Sequence, residues 1–276
     1  MILGLLSATV RAMKLPYRPA TRLRIIAGYT RLRLKLALGM SPSTERFLGM
    51  TLHFADYRGL VFLVEEIFVS GQYVLEGAAV PERIVDGGSN IGLSVLFFRW
   101  RYPNARIDAF EADPETAMIL RRNIEANHIE GVTVHALALS DRDGTATFER
   151  GDGGPGSLVS RLAEGQDRTG SMAVPTAKLS TFVDSTVDLL KLDVEGAEAA
   201  CLHELQAAGR LDLVRRMIVE SHHQPGGEST LARVIETFER SGWSIRLTTP
   251  ANSGVWSSLR QDVLVYAKAP PEAPRA

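Results

Sequence analysis

The stretch that decides the fold is residues 84–92, which read Ile84-Val85-Asp86-Gly87-Gly88-Ser89-Asn90-Ile91-Gly92. An apolar run ends here in an acidic residue and a glycine turn, and a helical pattern follows over residues 92–101. In a doubly wound sheet, the carboxyl edge of the first strand leaves a crevice where ligands bind. The stretch therefore predicts an α/β domain with a ligand site at this turn.

The order of the glycines narrows the kind of ligand. A dinucleotide site normally carries G-x-G-x-x-G, but Asn90 stands at the middle glycine position of a pattern that starts at Gly88. A zwitterionic methionine moiety suits the turn better, because its ammonium needs an acceptor such as Asp86 and its sulfonium tolerates no adjacent cation. The predicted cofactor contacts from this turn are Asp86, Gly87, Gly88, Ser89, Asn90 and Gly92.

Short β-branched or aliphatic runs alternate with helical patterns downstream of the turn, which is typical of a parallel sheet covered by helices on both faces. We predict a seven-stranded, mostly parallel sheet in a domain over residues 81–269, preceded by a basic amphipathic helical segment (1–80) and followed by a flexible tail (270–276). The predicted strands are residues 83–86, 106–111, 132–137, 188–192, 216–220, 244–248 and 263–267, and the predicted helices are residues 92–101, 114–127, 197–208 and 229–241. An inserted stretch contains β-like pieces at 145–148 and around Val174, with a glycine-rich loop at 151–156. We predict that this loop acts as a lid, and the alternative is a plain connecting loop.

Acidic residues at the ends of the second and third strands predict contacts to a nucleoside. Glu111 comes about twenty residues after the glycine turn, the distance at which an acidic side chain meets ribose hydroxyls. We predict that Glu111 contacts the ribose and that the adjacent Ala112 is also part of the cofactor site. Ser140 and Asp141 follow the third strand, so we predict that they accept the adenine amino group.

The fourth and fifth strands end in acids and imidazoles, which predicts the chemical centre. Asp193 follows the fourth strand, and Glu220 and His222 lie at the end of the fifth. Asp193 and His222 are predicted catalytic residues, because a proton acceptor for a hydroxyl belongs here and histidine has a suitable pKa. Asp193 and Glu220 could instead hold a divalent cation, Mg²⁺ in particular, that acidifies the hydroxyl.

Charge and composition limit the possible partners. The chain has 276 residues, a net charge of -1 and one cysteine, so neither a nucleic-acid footprint nor a disulfide is expected, and a reducing cytoplasm fits. Residues 1–44 hold eight Lys or Arg and no acidic residue, with apolar residues at Leu23, Ile26, Ala27, Leu34 and Leu38. This segment is predicted either to cap the main domain or to contact an anionic membrane surface or an acidic partner. No signal peptide or transmembrane helix is expected.

The motifs together resemble those of the FkbM family of methyltransferases. The resemblance covers roughly residues 81–268 and rests on residues 85–92, 110–114, Asn123 with Asn127, 138–140 and, above all, 188–198. It implies a Rossmann-like class I methyltransferase fold, S-adenosylmethionine as donor, and O-methylation of a hydroxyl on a small molecule such as a secondary metabolite, sugar or polyketide. Two other functions remain open: a nicotinamide-dependent oxidoreductase, and a non-catalytic binding protein on the same fold. Acceptor specificity is expected from the N-terminal segment, the 151–156 loop and residues 248–260.

Overall fold

The computed structural model describes residues 2–75, 79–150, 161–162, 171–223, 230–249 and 261–270. The predicted lid at 151–156, residues 250–260 of the expected specificity region and residues 271–276 of the predicted tail lie outside these ranges. Within the described part of the chain, no helix combines the length and the apolar character needed to cross a membrane.

A seven-stranded sheet forms the centre of the molecule, in the order β12-β13-β11-β10-β3-β4-β5. β13 runs antiparallel to its neighbours β11 and β12, whereas every other pairing in this sheet is parallel. All seven predicted strands are therefore confirmed, although the fifth continues beyond the predicted residue 220. The strands are β3 (Arg83–Gly87), β4 (Arg106–Phe110), β5 (Val132–His135), β10 (Leu189–Leu192), β11 (Arg216–His223), β12 (Ser244–Thr248) and β13 (Gln261–Lys268).

Helices cover both faces of this sheet, and each face has its own hydrophobic core. One core joins β3 and β4 to the helix after β3 and to the N-terminal segment, through residues such as Phe97 and Phe68. The other joins β10 and β11 to the last two helices, through residues such as Leu202 and Phe238. The four predicted helices are confirmed as α4 (Leu93–Arg101), α5 (Pro114–Ala126), α6 (Glu198–Ala207) and α7 (Thr230–Arg240).

The N-terminal segment begins with the two predicted helices, α1 (Ile2–Lys14) and α2 (Pro19–Ala37). The interruption occurs at the predicted prolines, and Pro19 occupies the first turn of α2, where its missing N–H costs nothing. The apolar residues from which we predicted a helix here are mostly not the ones that α2 buries. Ile25, Tyr29 and Leu32 are buried, whereas Leu23, Leu34 and Leu38 are exposed. Two apolar stripes compete on this helix, and the stripe that carries the aromatic residue faces the core.

Residues 45–80 contain a hairpin that the sequence analysis did not predict. The hairpin pairs β1 (Thr44–Phe47) with β2 (Met50–His53), and α3 (Tyr57–Val64) then continues into a π-helical turn (Glu65–Val69). Leu48 and Gly49 both have positive φ, which is the geometry of a two-residue hairpin turn. Leucine rarely adopts this conformation, so the Leu-Gly pair gives only a weak hairpin signal.

Two asparagines of the family motif fasten this hairpin to α5. Asn123 accepts the N–H of His53 at 2.7 Å and donates to its carbonyl at 2.9 Å, and Asn127 makes the same pair of hydrogen bonds to Thr51. Each amide side chain thus pairs with the backbone of β2 as a neighbouring strand would. The N-terminal segment is held against the main sheet by specific hydrogen bonds as well as by apolar packing.

A second, four-stranded sheet fills the predicted insertion. Its order is β6-β9-β7-β8, and the two predicted β-like pieces fall within β7 and β9. The predicted third strand of the main sheet ends at His135 rather than residue 137, because the chain leaves that sheet and enters β6. The strands are β6 (Ala138–Ser140), β7 (Gly144–Glu149), β8 (Arg161–Leu162) and β9 (Ser171–Lys178).

Candidate active site

A cavity of about 370 Å³ lies at the carboxyl edge of the main sheet. Part of its wall comes from the glycine turn and the ends of β4 and β10, and another part comes from α3 and the π-helical turn. The lining residues used below are Gly88, Glu111, Leu139, Phe148, Asp193 and His222 from the main domain, and Phe62, Glu66 and Tyr73 from the segment that precedes it.

The glycine turn is shaped by close backbone packing against the end of β10. Gly88 has φ of +76°, and a Cβ placed on it would lie 1.8 Å from the carbonyl oxygen of Asp193. The Gly88 and Ser89 N–H groups donate to the carbonyl of Phe110 at 3.0 and 2.8 Å, which ties the turn to β4. Gly88 is therefore required by the approach of two backbone segments, whereas a purely sequence-based account would attribute it to ligand space. Gly88, Ser89 and Asn90 line the cavity, but Gly87 and Gly92 do not.

Asp86 lies beneath the turn and does not line the cavity. Its carboxylate is fully buried, accepts a hydrogen bond from Ser94 Oγ at 2.6 Å and lies 3.3 Å from Nζ of Lys191. The structure thus keeps Asp86 away from the position expected for an acceptor of a ligand ammonium. Its contacts support the turn from below instead.

Lys191 is a buried cation that the sequence analysis did not single out. Its Nζ donates to the carbonyls of Gly87 and Gly88 at 3.1 and 2.6 Å and lies 3.5 Å from the carboxylate of Asp193. Burial alone would lower the pKa of Lys191, but Asp86, Asp193 and Glu220 raise the pKa above its usual value. A lysine within an otherwise apolar central strand, Leu-Leu-Lys-Leu, is the signal that could have found it.

Glu111 is placed where the sequence analysis expected a ribose contact. Its Oε2 accepts the N–H of Asn90 and its Oε1 accepts the N–H of Asp113, each at 2.9 Å, so the carboxylate cannot rotate freely. Burial raises the pKa of Glu111 to about 7, while the two backbone N–H donors act in the opposite direction. The adjacent Ala112 also lines the cavity.

The pair predicted to read an adenine amino group lies outside the cavity. Ser140 is buried and its hydroxyl donates to Asp141 Oδ1 at 3.2 Å, and the Asp141 side chain is partly exposed to solvent next to Arg142. Leu137, Ala138, Leu139 and Phe148 line the cavity instead. These four residues make the cavity lining near β6 apolar, and we call this part of the cavity the apolar slot. The insertion supplies Phe148, which no motif indicated.

Asp193 and His222 come together as predicted. Nε2 of His222 lies 3.5 Å from Asp193 Oδ1 and 3.7 Å from Glu195 Oε2, while Nδ1 lies 3.0 Å from Glu198 Oε1. Glu198 is itself fixed, because its carboxylate accepts the N–H groups of Val194 and Gly196. The loop between β10 and α6 thus orients the imidazole through Glu198.

The carboxylates around His222 control its protonation. Burial would lower the pKa of His222, but the hydrogen bond to Glu198 and the charges of Glu198, Glu195 and Asp193 raise the pKa to about 10. The imidazole is therefore charged at neutral pH, and a charged imidazole cannot accept a proton. The carboxylates of Asp193 and Glu195 both lie near Nε2 of this imidazole, and both line the cavity.

Two further carboxyl groups, those of Glu66 and Glu220, line the cavity and interact with Asp193. Burial, followed by the charge of Asp193, raises the pKa of Glu66 to about 8, and the same two causes raise the pKa of Glu220 well above its usual value. Glu66 comes from the π-helical turn and Asp262 from β13, so the cavity collects carboxylates from distant parts of the chain.

The described residues include one group with the spacing of a metal site, formed by Asp193, Glu195 and His222. Its ligand atoms all lie within 4.8 Å of one another. Glu220, predicted to share a cation with Asp193, is not part of this group. Mg²⁺ prefers oxygen ligands alone, and the imidazole here holds a proton that any metal would have to displace. This donor set does not fit Mg²⁺.

The strand order, the antiparallel last strand and the cavity beside the glycine turn define a Rossmann-like α/β fold. A family model described as "Methyltransferase FkbM domain" matches residues 86–244, and the chain belongs to this family. The resemblance noted from the sequence motifs is thereby confirmed.

Two curated proteins with methyltransferase names are similar to this chain. "Methyltransferase 1" of Beauveria bassiana (strain ARSEF 2860) is 29% identical over 210 residues, covering 66% of this chain and 84% of that protein. "31-O-demethyl-FK506 methyltransferase FkbM" of Streptomyces tacrolimicus is 26% identical over 230 residues, covering 71% of this chain and 86% of that protein. The crystal structure of methyltransferase FkbM from Methylobacillus flagellatus KT matches with a TM-score of 0.48 at 14% identity, covering 90% of this chain and 60% of that chain.

Proposed function

We propose that this methyltransferase uses S-adenosylmethionine to methylate a hydroxyl group of a small molecule of the secondary-metabolite, sugar or polyketide kind. The observation that carries the proposal is a single cavity whose lining includes Glu111, the apolar slot near β6 and the Asp193–His222 pair. The name of the Streptomyces relative, which describes a 31-O-demethyl substrate, supports oxygen as the acceptor atom.

The donor half of the proposal rests on Glu111 and the slot near β6. Glu111 is held by two backbone N–H groups and keeps further lone pairs for ribose hydroxyls. Leu139 and Phe148 offer apolar surfaces for a flat base. The carbonyls of Gly87 and Gly88 accept hydrogen bonds from Lys191, so the turn has an adjacent cation that the sequence analysis did not expect. Bound S-adenosylmethionine would supply an activated methyl group for in-line displacement.

The acceptor half of the proposal rests on Asp193. An alcohol oxygen that forms a bond to a methyl carbon becomes strongly acidic, so a carboxylate is basic enough to take its proton. We assign this proton to Asp193. His222 holds the carboxylate in place through its charge and in turn is held by Glu198. Both predicted catalytic residues therefore take part in this mechanism, Asp193 as the base and His222 as the residue that positions it.

Methyl transfer to a panel of hydroxylated polyketides and sugars, followed by mass spectrometry of the products, tests the proposal. Asp193→Asn is expected to lower kcat by about 10²–10⁴-fold, the range typical of a general base, with little change in donor affinity. His222→Gln removes the charge that holds Asp193 in place and is therefore also expected to lower kcat. Its matched control is His203→Gln, because His203 lies exposed on α6. Methylation at nitrogen or carbon, or full activity of Asp193→Asn, would contradict the proposal.

A chelator separates the metal-assisted alternative from this one. Activity of the wild-type protein is expected to persist in EDTA. Loss of turnover in EDTA, with recovery on addition of Mn²⁺, would instead assign Asp193, Glu195 and His222 to a cation. Binding of NAD instead of S-adenosylmethionine in calorimetry would favour an oxidoreductase, and binding of S-adenosylmethionine without methyl transfer would favour a non-catalytic binding protein.

A further inference from the structure

The outer surface of α1 carries an apolar stripe. Leu6, Val10 and Met13 follow one another at helical spacing and are 58%, 55% and 47% exposed. The opposite face of α1 is packed into the core through Ala8 and Ala12. The stripe therefore points away from the body of the protein.

The outer surface of α2 repeats this arrangement. Leu23 and Leu34 are 62% and 53% exposed, and Leu38, at the end of the helix, is 68% exposed. The buried face of α2 again lies opposite. We call the two stripes together the docking face: Leu6, Val10 and Met13 on α1, with Leu23, Leu34 and Leu38 on α2.

The charges around the docking face all have one sign. Residues 1–44 contain no Asp or Glu. Two buried carboxylates deeper in the protein take up part of the positive charge: Glu65 pairs with Arg11 and Arg33, and Glu45 pairs with Arg31 and Lys35.

Three other cations remain at the surface beside the docking face. Lys14 follows Met13, Arg24 follows Leu23, and Arg18 lies in the connection between the helices. All three are exposed, and none forms an ion pair with a residue that the structure describes. Single exposed apolar residues are ordinary on protein surfaces, but two outward stripes on helices whose charged side chains are all cationic are not.

We propose that the docking face binds an anionic lipid surface, with α1 and α2 lying in the plane of the membrane interface. The apolar side chains would enter the boundary between headgroups and acyl chains, and Lys14, Arg18 and Arg24 would contact anionic headgroups. A second copy of this chain fits less well. A two-fold interface brings each patch against itself, so the cations of both copies would meet.

Flotation of the full-length protein with vesicles tests this proposal. Binding is expected to vesicles of phosphatidylcholine and phosphatidylglycerol in a 7:3 ratio, and to be weak with phosphatidylcholine alone. One cation near an anionic surface contributes about 1 kcal/mol, which is about five-fold in binding. Lys14→Glu/Arg24→Glu is therefore expected to weaken binding by at least ten-fold. Arg210→Glu/Lys268→Glu, with the same change in net charge at exposed sites elsewhere, is expected to have little effect.

The apolar contribution has its own variant. Leu6→Gln/Val10→Gln/Met13→Gln is expected to lose vesicle binding while keeping its unfolding temperature and its donor affinity. Met118→Gln is the control, since Met118 is 61% exposed on α5, away from the docking face.

Three results would overturn the proposal. The first is no binding of the wild-type protein to anionic vesicles at low salt, and the second is equal binding by wild-type protein and the triple variant. The third is a dimer in sedimentation velocity that the triple variant abolishes while vesicles fail to bind, because the docking face would then serve a second copy.

Discussion

Replacing Glu111 with glutamine removes a negative charge with almost no change in side-chain volume. Both carboxylate oxygens already accept backbone N–H groups, Oε2 from Asn90 and Oε1 from Asp113. Whichever way the glutamine amide turns, its NH₂ group must face one of these donors. One buried N–H then lacks an acceptor, which is expected to reduce the free energy of unfolding by about 1–3 kcal/mol.

The effect on the donor follows from the same two oxygens. If each oxygen also accepts a ribose hydroxyl, the variant loses one hydrogen bond to a charged group, about 1.5–3 kcal/mol, and weakens the other by about 1 kcal/mol. The sum, about 2.5–4 kcal/mol, corresponds to a dissociation constant for S-adenosylmethionine raised by about 10²–10³-fold.

Titration calorimetry with S-adenosylmethionine and with its demethylated product measures this change directly. Glu115→Gln provides the matched control. It makes the same chemical change at an exposed residue of α5 that does not line the cavity. Unchanged donor affinity in a folded Glu111→Gln protein would refute the assignment of the ribose contact.

Three further predictions follow from the glycine turn and the groups beneath it. Because the pKa of Glu111 is about 7 in the free protein and the ionised form is the better acceptor, donor affinity should rise from pH 6 to pH 8, and this slope should disappear in Glu111→Gln. Gly88→Ala should lower the free energy of unfolding by more than Gly242→Ala in urea titrations. Both glycines have positive φ, but only the first would drive a Cβ into a backbone oxygen, so equal losses would contradict the packing account. Lys191→Met should cost about 3–5 kcal/mol of stability by leaving Asp86 unpaired in the interior, and adding Asp86→Asn should restore part of it; no recovery would show that the pair is not the cause.

Much of the main domain could be predicted from the sequence, because its strands and helices carry strong local patterns. The apolar run of β3 ends in a glycine turn, and Asp113 with Pro114 marks the start of α5, where the Asp113 side chain caps the N–H of Glu115. Parallel strands also fix which residues share an edge. For this reason Asp193 and His222 could be brought together before any coordinates were known.

The parts that escaped prediction depend on contacts between segments far apart in the chain. Glu66 follows helix α3 in sequence, and nothing local indicates that it faces a cavity built mainly by residues beyond 86. Asp86 has the residue type and position of a ligand contact, but its carboxylate is taken by Lys191 from a neighbouring strand. Ser140 and Asp141 were expected to reach the ligand from the end of the third strand. The chain leaves the main sheet and enters β6 there, and Leu139 lines the cavity while these two residues do not.

Part of the cavity lining comes from a stretch of sequence that precedes the main domain. The wall that holds Phe62, Leu63 and Glu66 belongs to a segment that precedes the first strand of the main sheet, whereas Gly88 and Glu111 lie within the sheet's own loops. Substitutions in this preceding segment can change part of the cavity wall without altering the glycine turn, which Lys191 and Asp86 support from below. Under the proposed function, such a division would allow selection for new acceptors to act on one stretch of the gene while another keeps the donor site constant. It also recommends α3 and its π-helical turn as the first region to randomise in a directed-evolution library.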